Sequence, residues 1–546
     1  MTKVPPIELW GAETSRQSDR YTMETLGIPS EILMERAALA VSGEVQRVYE
    51  HFRHPILVLS GPGNNGADGL AVSRILAGRG IPVEVSLLAK DIRGNVAQQL
   101  EWARAYGVHV GLGLPEIPQA PRILVDALLG TGSRGIPKGS IAECLERFVP
   151  WQIKQEIPVV AVDIPTGIDA DSGAVLGMAF HSRRTVTFQK GKPGLFITPG
   201  SHYAGQVVVA EIGLQADPVT SSSGEETTAN LDTVVLLSPT WAAEQVAASF
   251  TAHEHKGQRG SLGVIGGSVG TPGAVILSGH AALKSGVGTV HVWSNDAQVQ
   301  AQILRYRPEL MGFSTPDFCT PGGWKSLLSK VAGQTLANAW VVGPGLTDAQ
   351  GLSEIAPMFL DERNPSIWDA GTLDVIPFEA RPAGPRVLSP HPGEASRMLN
   401  RWQEEKNQGK PAGVNWNGNT VQQARREVAM RLSQITCSTV ILKGEHSLIA
   451  QNQRLAICPT GSSTLATAGS GDCLAGIVGA LLARGMDAWS ASCLAVYLHG
   501  MCGELLEVDH GSSGALAGDI ADVIPKALES LRTELEPHHW PKFEEL

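Results

Sequence analysis

Short apolar runs alternate with helical patterns on both sides of one polar stretch, and this arrangement leaves few folds open to the chain. Ahead of the stretch lie Ile56-Leu57-Val58-Leu59, Val83-Glu84-Val85, Ile123-Leu124-Val125 and Val159-Val160-Ala161-Val162. After it lie Leu262 to Ile265, Trp340-Val341-Val342, Val387-Leu388 and Val440-Ile441-Leu442. Runs this short, mostly apolar and rich in β-branched residues, suit strands covered on both faces of a parallel sheet. Helical patterns such as Leu70 to Gly78 and Asn95 to Tyr106 fill the intervals. The separating stretch, Ala216 to Asp232, reads ADPVTSSSGEETTANLD and has hardly a residue for a core. At 546 residues the chain is also too long for one ordinary domain. The pattern predicts two α/β domains, residues 1–215 and 236–546, joined by a linker over 216–235. In such sheets ligands sit beyond the carboxyl ends of the strands, so the residues just after each run are the candidates for function.

A net charge of −11 argues against nucleic acid or an anionic membrane as the main partner, so a phosphate-bearing ligand must be held by backbone dipoles and a few basic side chains. The seven cysteines form no C-x-x-C pair and fit reduced thiols rather than a disulfide frame. Met1 to Gly11 carries Pro5, Pro6 and Glu8 instead of a basic, then apolar, leader, and no apolar run reaches the roughly eighteen residues of a membrane span. A cytoplasmic protein is expected.

In the first half, Gly61-Pro62-Gly63-Asn64-Asn65-Gly66-Ala67-Asp68-Gly69 follows the first strand. It satisfies G-x-G-x-x-G formally but lacks the acid that a dinucleotide fingerprint wants at the end of the second strand, where Glu84 lies inside the run. Its Asn64, Asn65 and Asp68 are too polar for a plain turn and read as a ligand loop. Asp126 ends the third run, and Asp163 ends the fourth, just before Ile164-Pro165-Thr166-Gly167. An amide, a carboxylate and a hydroxyl oxygen at strand ends, from Asn65, Asp126 and Thr166, suit a hard cation, which leaves Asp163 for proton transfer. Caps and turns are the competing reading for each acid alone. Between them Gly130-Thr131-Gly132-Ser133-Arg134-Gly135 supplies a flexible loop with one fixed cation.

In the second half, Thr464-Leu465-Ala466-Thr467-Ala468-Gly469-Ser470-Gly471-Asp472 opens the apolar stretch Cys473 to Ala483. Unpaired amides and the positive end of the helix dipole suit a phosphoryl group there, glycines let it approach, and Asp472 is poised to deprotonate an attacking hydroxyl. An ordinary Asp N-cap is the competing reading. Thr271-Pro272-Gly273-Ala274 opens a small-residue helix through Lys284, Gly343-Pro344-Gly345 and Asp369 end strands, and Ser389-Pro390-His391-Pro392-Gly393-Glu394 follows another. Lys443-Gly444-Glu445-His446-Ser447 offers an ammonium and turn amides for nucleotide phosphates. His253 and His255 are two apart without a third ligand, so no metal site is expected from them.

GPGNNGADGL, VDALLGTGSRG, VDIPTGIDADSG and KPGLFITPGSHYAGQVVVAEIGL together resemble the N-terminal epimerase domain of the bifunctional NAD(P)H-hydrate repair enzymes, over roughly residues 10–215. HKGQRGS, HPGE, KGEHS and ATAGSGDCLAGIVGALLARG resemble their ADP-dependent dehydratase domain, over roughly residues 240–530. The resemblance implies a Rossmann-like three-layer domain followed by a ribokinase-like one. It implies that hydrate meets Asn64, Asn65, Gly66, Ala67 and Asp68, the loop Gly130, Thr131, Gly132, Ser133, Arg134, Gly135 and Ile136, and Asp163 in the first domain. Potassium would rest on Asn65, Asp126 and Thr166, with Asp163 and Arg134 in the chemistry. In the second domain it implies hydrate on Ala274, Gly345, His391 and Asp472, ADP with magnesium on Lys443, Gly444, Glu445, His446, Ser447 and Gly471, and Asp472 as base. The family usually has two glycines where this chain has Gly66-Ala67, and a second Asp and an Asn within Asp369 to Asp374.

Phosphorylating the C6 hydroxyl of the hydrate would make it a leaving group that the ring nitrogen can expel, which accounts for a kinase-like site in a dehydratase. The expected partners are NAD(P)H-hydrates, ADP and further copies of the chain. The alternative is a small-molecule kinase of the ribokinase type with a non-catalytic nucleotide-binding module in front.

Overall fold

The apolar runs become the central strands of two parallel sheets, one in each half of the chain. The computed structural model describes residues 5–216, 233–250, 254–294, 297–314, 337–346, 360–407, 413–533 and 543–545. Most of the expected linker and His253 lie outside them. Two compact units result, with Glu8–Val234 and Val235–Pro541 as their main parts. Among the described residues no helix is long and apolar enough to cross a membrane.

In the first unit the principal strands are β1 (Ile56–Ser60), β2 (Val83–Leu87), β3 (His109–Leu112), β4 (Ile123–Ala127), β5 (Val159–Val162), β6 (Arg184–Phe188) and β7 (Gln206–Ala210), with a short strand Phe543–Glu545 added outside β7. They lie in the order β3-β2-β1-β4-β5-β6-β7, all parallel. The winding direction reverses between β1 and β4, so a crevice opens beyond their carboxyl ends. Helices α1 (Ala12–Arg20), α2 (Ser30–Phe52), α3 (Asn64–Gly78), α4 (Gly94–Ala105) and α5 (Ser140–Lys154) surround the sheet. Val58, Val125, Val160 and Val162 pack with α2, α3 and α4, whereas Leu57, Leu59, Leu124 and Val159 pack with α5. Alternate residues of one apolar strand thus serve two cores, the three-layer arrangement expected of a Rossmann-like domain. Leu59 pairs with Asp126 and Asp126 with Ala161, which brings the ends of β1, β4 and β5 level.

Two sequence expectations shift. Asp126 lies within β4 rather than after it, and Asn64 to Asp68 form the first turns of α3 rather than a loop. Small residues allow α3 to start so near the sheet: a Cβ at Gly69 would sit 3.1 Å from Val58 Cγ1.

The second unit repeats the winding. Strands β8 (Ser261–Ile265), β9 (Thr289–Ser294), β10 (Met311–Ser314), β11 (Ala339–Val342), β12 (Ser366–Trp368), β13 (Arg386–Leu388) and β14 (Thr439–Leu442) lie in the order β10-β9-β8-β11-β12-β13-β14, all parallel. Antiparallel β15 (Leu448–Gln451) and β16 (Arg454–Ile457) extend it past β14. This sheet and its helical layers form the ribokinase-like half. Of its helices, α6 (Pro272–Lys284), α7 (Pro392–Lys406), α8 (Arg425–Thr436) and α9 (Ser470–Ala483) carry the residues of interest. Helix α9 buries Leu474, Ile477, Val478, Leu481 and Leu482, each worth about 1.5–3 kcal/mol out of water.

Glycines set how closely α9 can pack. A Cβ at Gly476 would overlap the Ser278 carbonyl oxygen of α6, and one at Gly479 would lie 3.0 Å from Leu262 of β8. Gly476→Ala is expected to destabilise the second unit by about 1–3 kcal/mol through overpacking against backbone. Thermal melting of the full chain, with the transitions of the two units resolved by calorimetry, checks it; an unshifted profile would contradict the close contact.

Candidate active sites

Beyond the carboxyl ends of β1, β4 and β5 the first unit holds a cleft of about 540 Å³, whose lining includes Asn64, Asn65, Asp68, Gly130, Thr131, Gly132, Ser133 and Asp163. Eight of the expected ligand residues therefore share one wall. Asp163 is buried at a left-handed φ of 66°, with its amide donating to the Val186 carbonyl. Lys192 Nζ lies 2.9 Å from its Oδ1, which also accepts from Thr187 Oγ1 at 3.2 Å, and the Thr131 amide donates to Oδ2 at 3.3 Å. Burial would raise this carboxyl, but the Lys192 ammonium and these hydrogen bonds hold it below its ordinary 3.8. A Cβ at Gly130 would come within 3.2 Å of Asn65 Oδ1 and 3.3 Å of Asp163 Oδ2, so the glycine keeps that corner open.

The remaining expectations for this unit fall elsewhere. Gly66 and Ala67 are behind the wall: a Cβ at Gly66 would overlap the Gly61 carbonyl, which demands glycine, while the Ala67 methyl is part of the core. The departure from a second glycine is thus absorbed by packing. Arg134, Gly135 and Ile136 do not line the cleft, and the Arg134 side chain is 76% exposed, with Glu13 Oε2 4.0 Å away.

Asp126 is fully buried. Its Oδ2 accepts from the Thr166 amide at 2.7 Å, and its Oδ1 from Thr166 Oγ1 at 2.7 Å and from the Leu128 amide at 3.3 Å. Burial lifts its carboxyl to about 6 against those bonds. No cationic side chain among the described residues reaches it, and the buried Asn65 Nδ2 has no partner there. Sequence reasoning missed Lys192, Thr187 and two further cleft residues, Arg16 and Asp19 of α1. The basic pair Lys190 and Lys192 right after β6 was the available signal.

In the second unit the centre is Lys443, just beyond β14. Its Nζ lies 2.7 Å from Asp369 Oδ1 and 3.9 Å from Glu394 Oε2, and Ser389 Oγ donates to the same Asp369 oxygen at 2.9 Å. Burial would lower the ammonium, but Asp369 and Glu394 raise it, with smaller help from Asp472. A Cβ at Gly471 would lie 3.3 Å from Lys443 Nζ and 3.6 Å from Asp369 Oδ2, so the pair faces the first turn of α9. The N-cap there is Gly469 at φ 90°, and no side chain caps it. Asp472 is therefore not a cap. Burial first, then the charge of Asp369, push its carboxyl to about 7 against the pull of Lys443.

Gly345 and Ala274 meet where β8 and β11 end: Thr271 Oγ1 donates to the Gly345 carbonyl at 2.8 Å, and a Cβ at Gly345 would lie 3.1 Å from that of Ala274. His391 caps α7, its Nδ1 accepting from the Gly393 amide at 3.0 Å, while Glu394 closes the capping box. The loop Lys443 to Ser447 is shaped from below by Arg425, a buried guanidinium that donates to the Glu445 and His446 carbonyls, with Gly444 at φ 144° directly above it. Ser447 Oγ closes the turn onto the Gly444 carbonyl at 2.9 Å. Asp369, Glu394 and Arg425 were not among the expected site residues. Asp374 is half-exposed and pairs with Arg397 at 3.0 Å. Among the described residues no group of three or more His, Cys, Asp or Glu could hold a metal ion.

The sequence family described as NAD(P)H-hydrate dehydratase matches residues 262–526, and that described as YjeF-related protein N-terminus matches residues 30–194. Over 95% of this chain and 96% of its own length, the bifunctional NAD(P)H-hydrate repair enzyme Nnr of Moorella thermoacetica is 33% identical. The chain belongs to the bifunctional NAD(P)H-hydrate repair enzymes. The Escherichia coli member is 31% identical over 95% of this chain and 94% of its own length. An ADP/ATP-dependent NAD(P)H-hydrate dehydratase from Bacillus subtilis, solved with ATP and Mg2+, is 30% identical, with a TM-score of 0.44; the match covers 53% of this chain and 98% of that one.

For this repair enzyme the half-buried acid of α9 carries a stability cost. Asp472 titrates near 7 in the fold against 3.8 for an ordinary aspartate, so between those values the folded state binds more protons than the unfolded one. Stability is then lost as pH rises through that window. Asp472→Asn is expected to raise the melting temperature at pH 8 more than at pH 4. Equal shifts at the two pH values would contradict the raised carboxyl.

Proposed function

We propose that residues 1–215 form an epimerase domain that interconverts the R and S forms of hydrated NADH and NADPH. Residues 236–546, beyond a linker over 216–235, then dehydrate the S form at the expense of ADP. AMP and free phosphate are the other products. The observation that carries the second assignment is the Asp369–Lys443 pair facing the glycine-rich first turn of α9, beside a carboxyl near neutrality. Asp472 takes the proton of the C6 hydroxyl as that oxygen attacks the β-phosphorus of ADP, and the amides at Gly471 with Lys443 stabilise charge on the moving phosphoryl group. The ring nitrogen then expels phosphate. ADP lies along Lys443, Gly444, Glu445, His446 and Ser447, with magnesium accompanying it as part of the co-substrate, and the hydrate reaches Ala274, Gly345 and His391.

In the first domain Asp163 is the proton acceptor, kept ionised by Lys192. The exposed Arg134 contributes charge at the cleft mouth. Potassium fits the oxygen set of Asn65, Asp126 and Thr166, because Asp126 is a buried carboxylate with no cation of its own. A cytoplasmic location, near the nicotinamide pool, and self-association belong to the same reading.

The two reactions should separate by mutation. Asp163→Asn is expected to abolish epimerisation while pure S hydrate is still dehydrated. Asp472→Ala is expected to bind ADP with dehydration slowed roughly a hundredfold or more. Recovery of reduced-nicotinamide absorbance from pure R and pure S hydrate, with and without ADP, reads both activities. Accumulation of a phosphorylated organic product instead of AMP and phosphate would make the second domain a kinase.

Potassium is expected to raise the melting temperature of the first domain, and Asp126→Ala to remove that effect, since it deletes the charged member of the set. A wild-type melting temperature indifferent to potassium contradicts the site.

A further inference from the structure

Three carboxylates from three separate elements, Asp19 of α1, Asp68 of α3 and Asp163 after β5, line the same cleft of the first unit. One ammonium balances them. Lys192 is committed to Asp163 at 2.9 Å and to the Phe188 carbonyl at 2.8 Å. Asp68 is 9% exposed, and among the described residues it makes no hydrogen bond or ion pair. Its carboxylate faces the cleft with no protein partner among the described residues. The wall also presents Arg16, which is paired with Glu13 at 3.0 Å.

Three negative charges beside one positive charge favour retention of a proton, and the environments decide which carboxyl keeps it. Asp163 is held ionised by Lys192. Burial raises Asp19 to about 6, with Asp163 adding and Lys192 opposing. Burial also raises Asp68 well above the ordinary 3.8, with both other acids adding and no cation opposing. Two carboxyls driven apart in one cleft form an acid and a base.

We propose that Asp68 is the proton donor of the epimerisation, working with Asp163 as the acceptor. This rests on the epimerase reading of the first unit. The carbon that inverts carries a hydroxyl and the ring nitrogen, so it is a hemiaminal carbon. Asp163 takes the hydroxyl proton, the C6–oxygen bond becomes a carbonyl, and the C6–nitrogen bond breaks with its electron pair going to nitrogen. Asp68 protonates that nitrogen. The open aldehyde turns about its bond to C5, nitrogen returns its proton to Asp68 and attacks the other face of the carbonyl, and the oxygen recovers the proton from Asp163. Every proton and electron pair is restored, and the C6–oxygen bond is never cleaved, so no phosphorylation is needed.

The test uses the full-length chain and the R hydrate of NADPH, with S hydrate followed by chromatography and the uncatalysed rate subtracted. Asp68→Asn is expected to lower kcat by about a hundredfold or more with KM unchanged. The wild-type kcat is expected to fall on the alkaline side as Asp68 loses its proton, and that limb to be missing from the residual activity of Asp68→Asn. Wild-type kcat in the variant overturns the proposal, as does a raised KM alone or an alkaline limb that persists in the variant. Melting curves establish that the variant is folded; if it is not, the wild-type pH profile decides, and a flat alkaline side overturns the proposal. A wild-type chain that does not epimerise overturns the epimerase reading itself, whereas failure of the Asp68 assignment leaves the wild type active.

Discussion

A lysine–aspartate pair at the ends of parallel strands, buried in the first half and largely buried in the second, is the interaction on which each half of this protein depends. Removing two charges from water costs several kcal/mol apiece and is tolerated only when they meet at close range with further hydrogen bonds. Lys192 with Asp163 and Lys443 with Asp369 meet that condition at 2.9 and 2.7 Å, each with a hydroxyl on the same carboxylate oxygen. Once the lysine is committed, a further acid nearby gains too little from it to offset burial and repulsion. That is why Asp68 in one unit and Asp472 in the other are driven upward. Fixed ion pair and adjustable carboxyl are two consequences of the same shortage of positive charge.

The pairs can exist because sheet winding and helix approach bring their members together. In both sheets the first of the parallel strands lies inside the sheet, and the parallel winding runs outward from it in both directions. Parallel pairing in level register then sets the residues following different strands side by side, although Asp369 and Lys443 are 74 positions apart in sequence. Helices must also start close to those strand ends. Gly66 in α3 and Gly471 in α9 provide that closeness, the first because only glycine avoids the Gly61 carbonyl, the second because a side chain would press on Lys443. Stability is given up at Asp472, which is held near neutrality by surroundings that penalise its ionisation.

Much of this was legible in the sequence. Apolar runs dictate buried parallel strands because such strands have no solvent face to keep polar, and the acids and glycines after them stand where loops must cover the sheet edge. Motif resemblance singled out Asp163, Asp472, the Gly130 loop and the Lys443 loop as candidates, and the structure places Asn64, Asn65, Asp68, Gly130 to Ser133 and Asp163 around one cleft. Contiguous signals of this kind survive in sequence because one backbone segment carries them.

What sequence could not contain was the partner of each charge. Asp19 and Arg425 reach their sites from helices with ordinary local patterns, and Lys192 and Glu394, although inside quoted motifs, carry no sign there of the charge each would meet. Asp369 stood only as a strand end. The exposure of Arg134, the absorption of the Ala67 methyl by the core and the conversion of Asn64 to Asp68 from loop into helix likewise followed from packing. Strand runs, glycines and motif acids determined by themselves that the chain would form two α/β units with candidate sites at their strand ends. Which acids are ionised, and which keep a proton, was decided only when the tertiary fold buried them together and rationed the cations, because electrostatic energy depends on distance and burial rather than on separation along the chain.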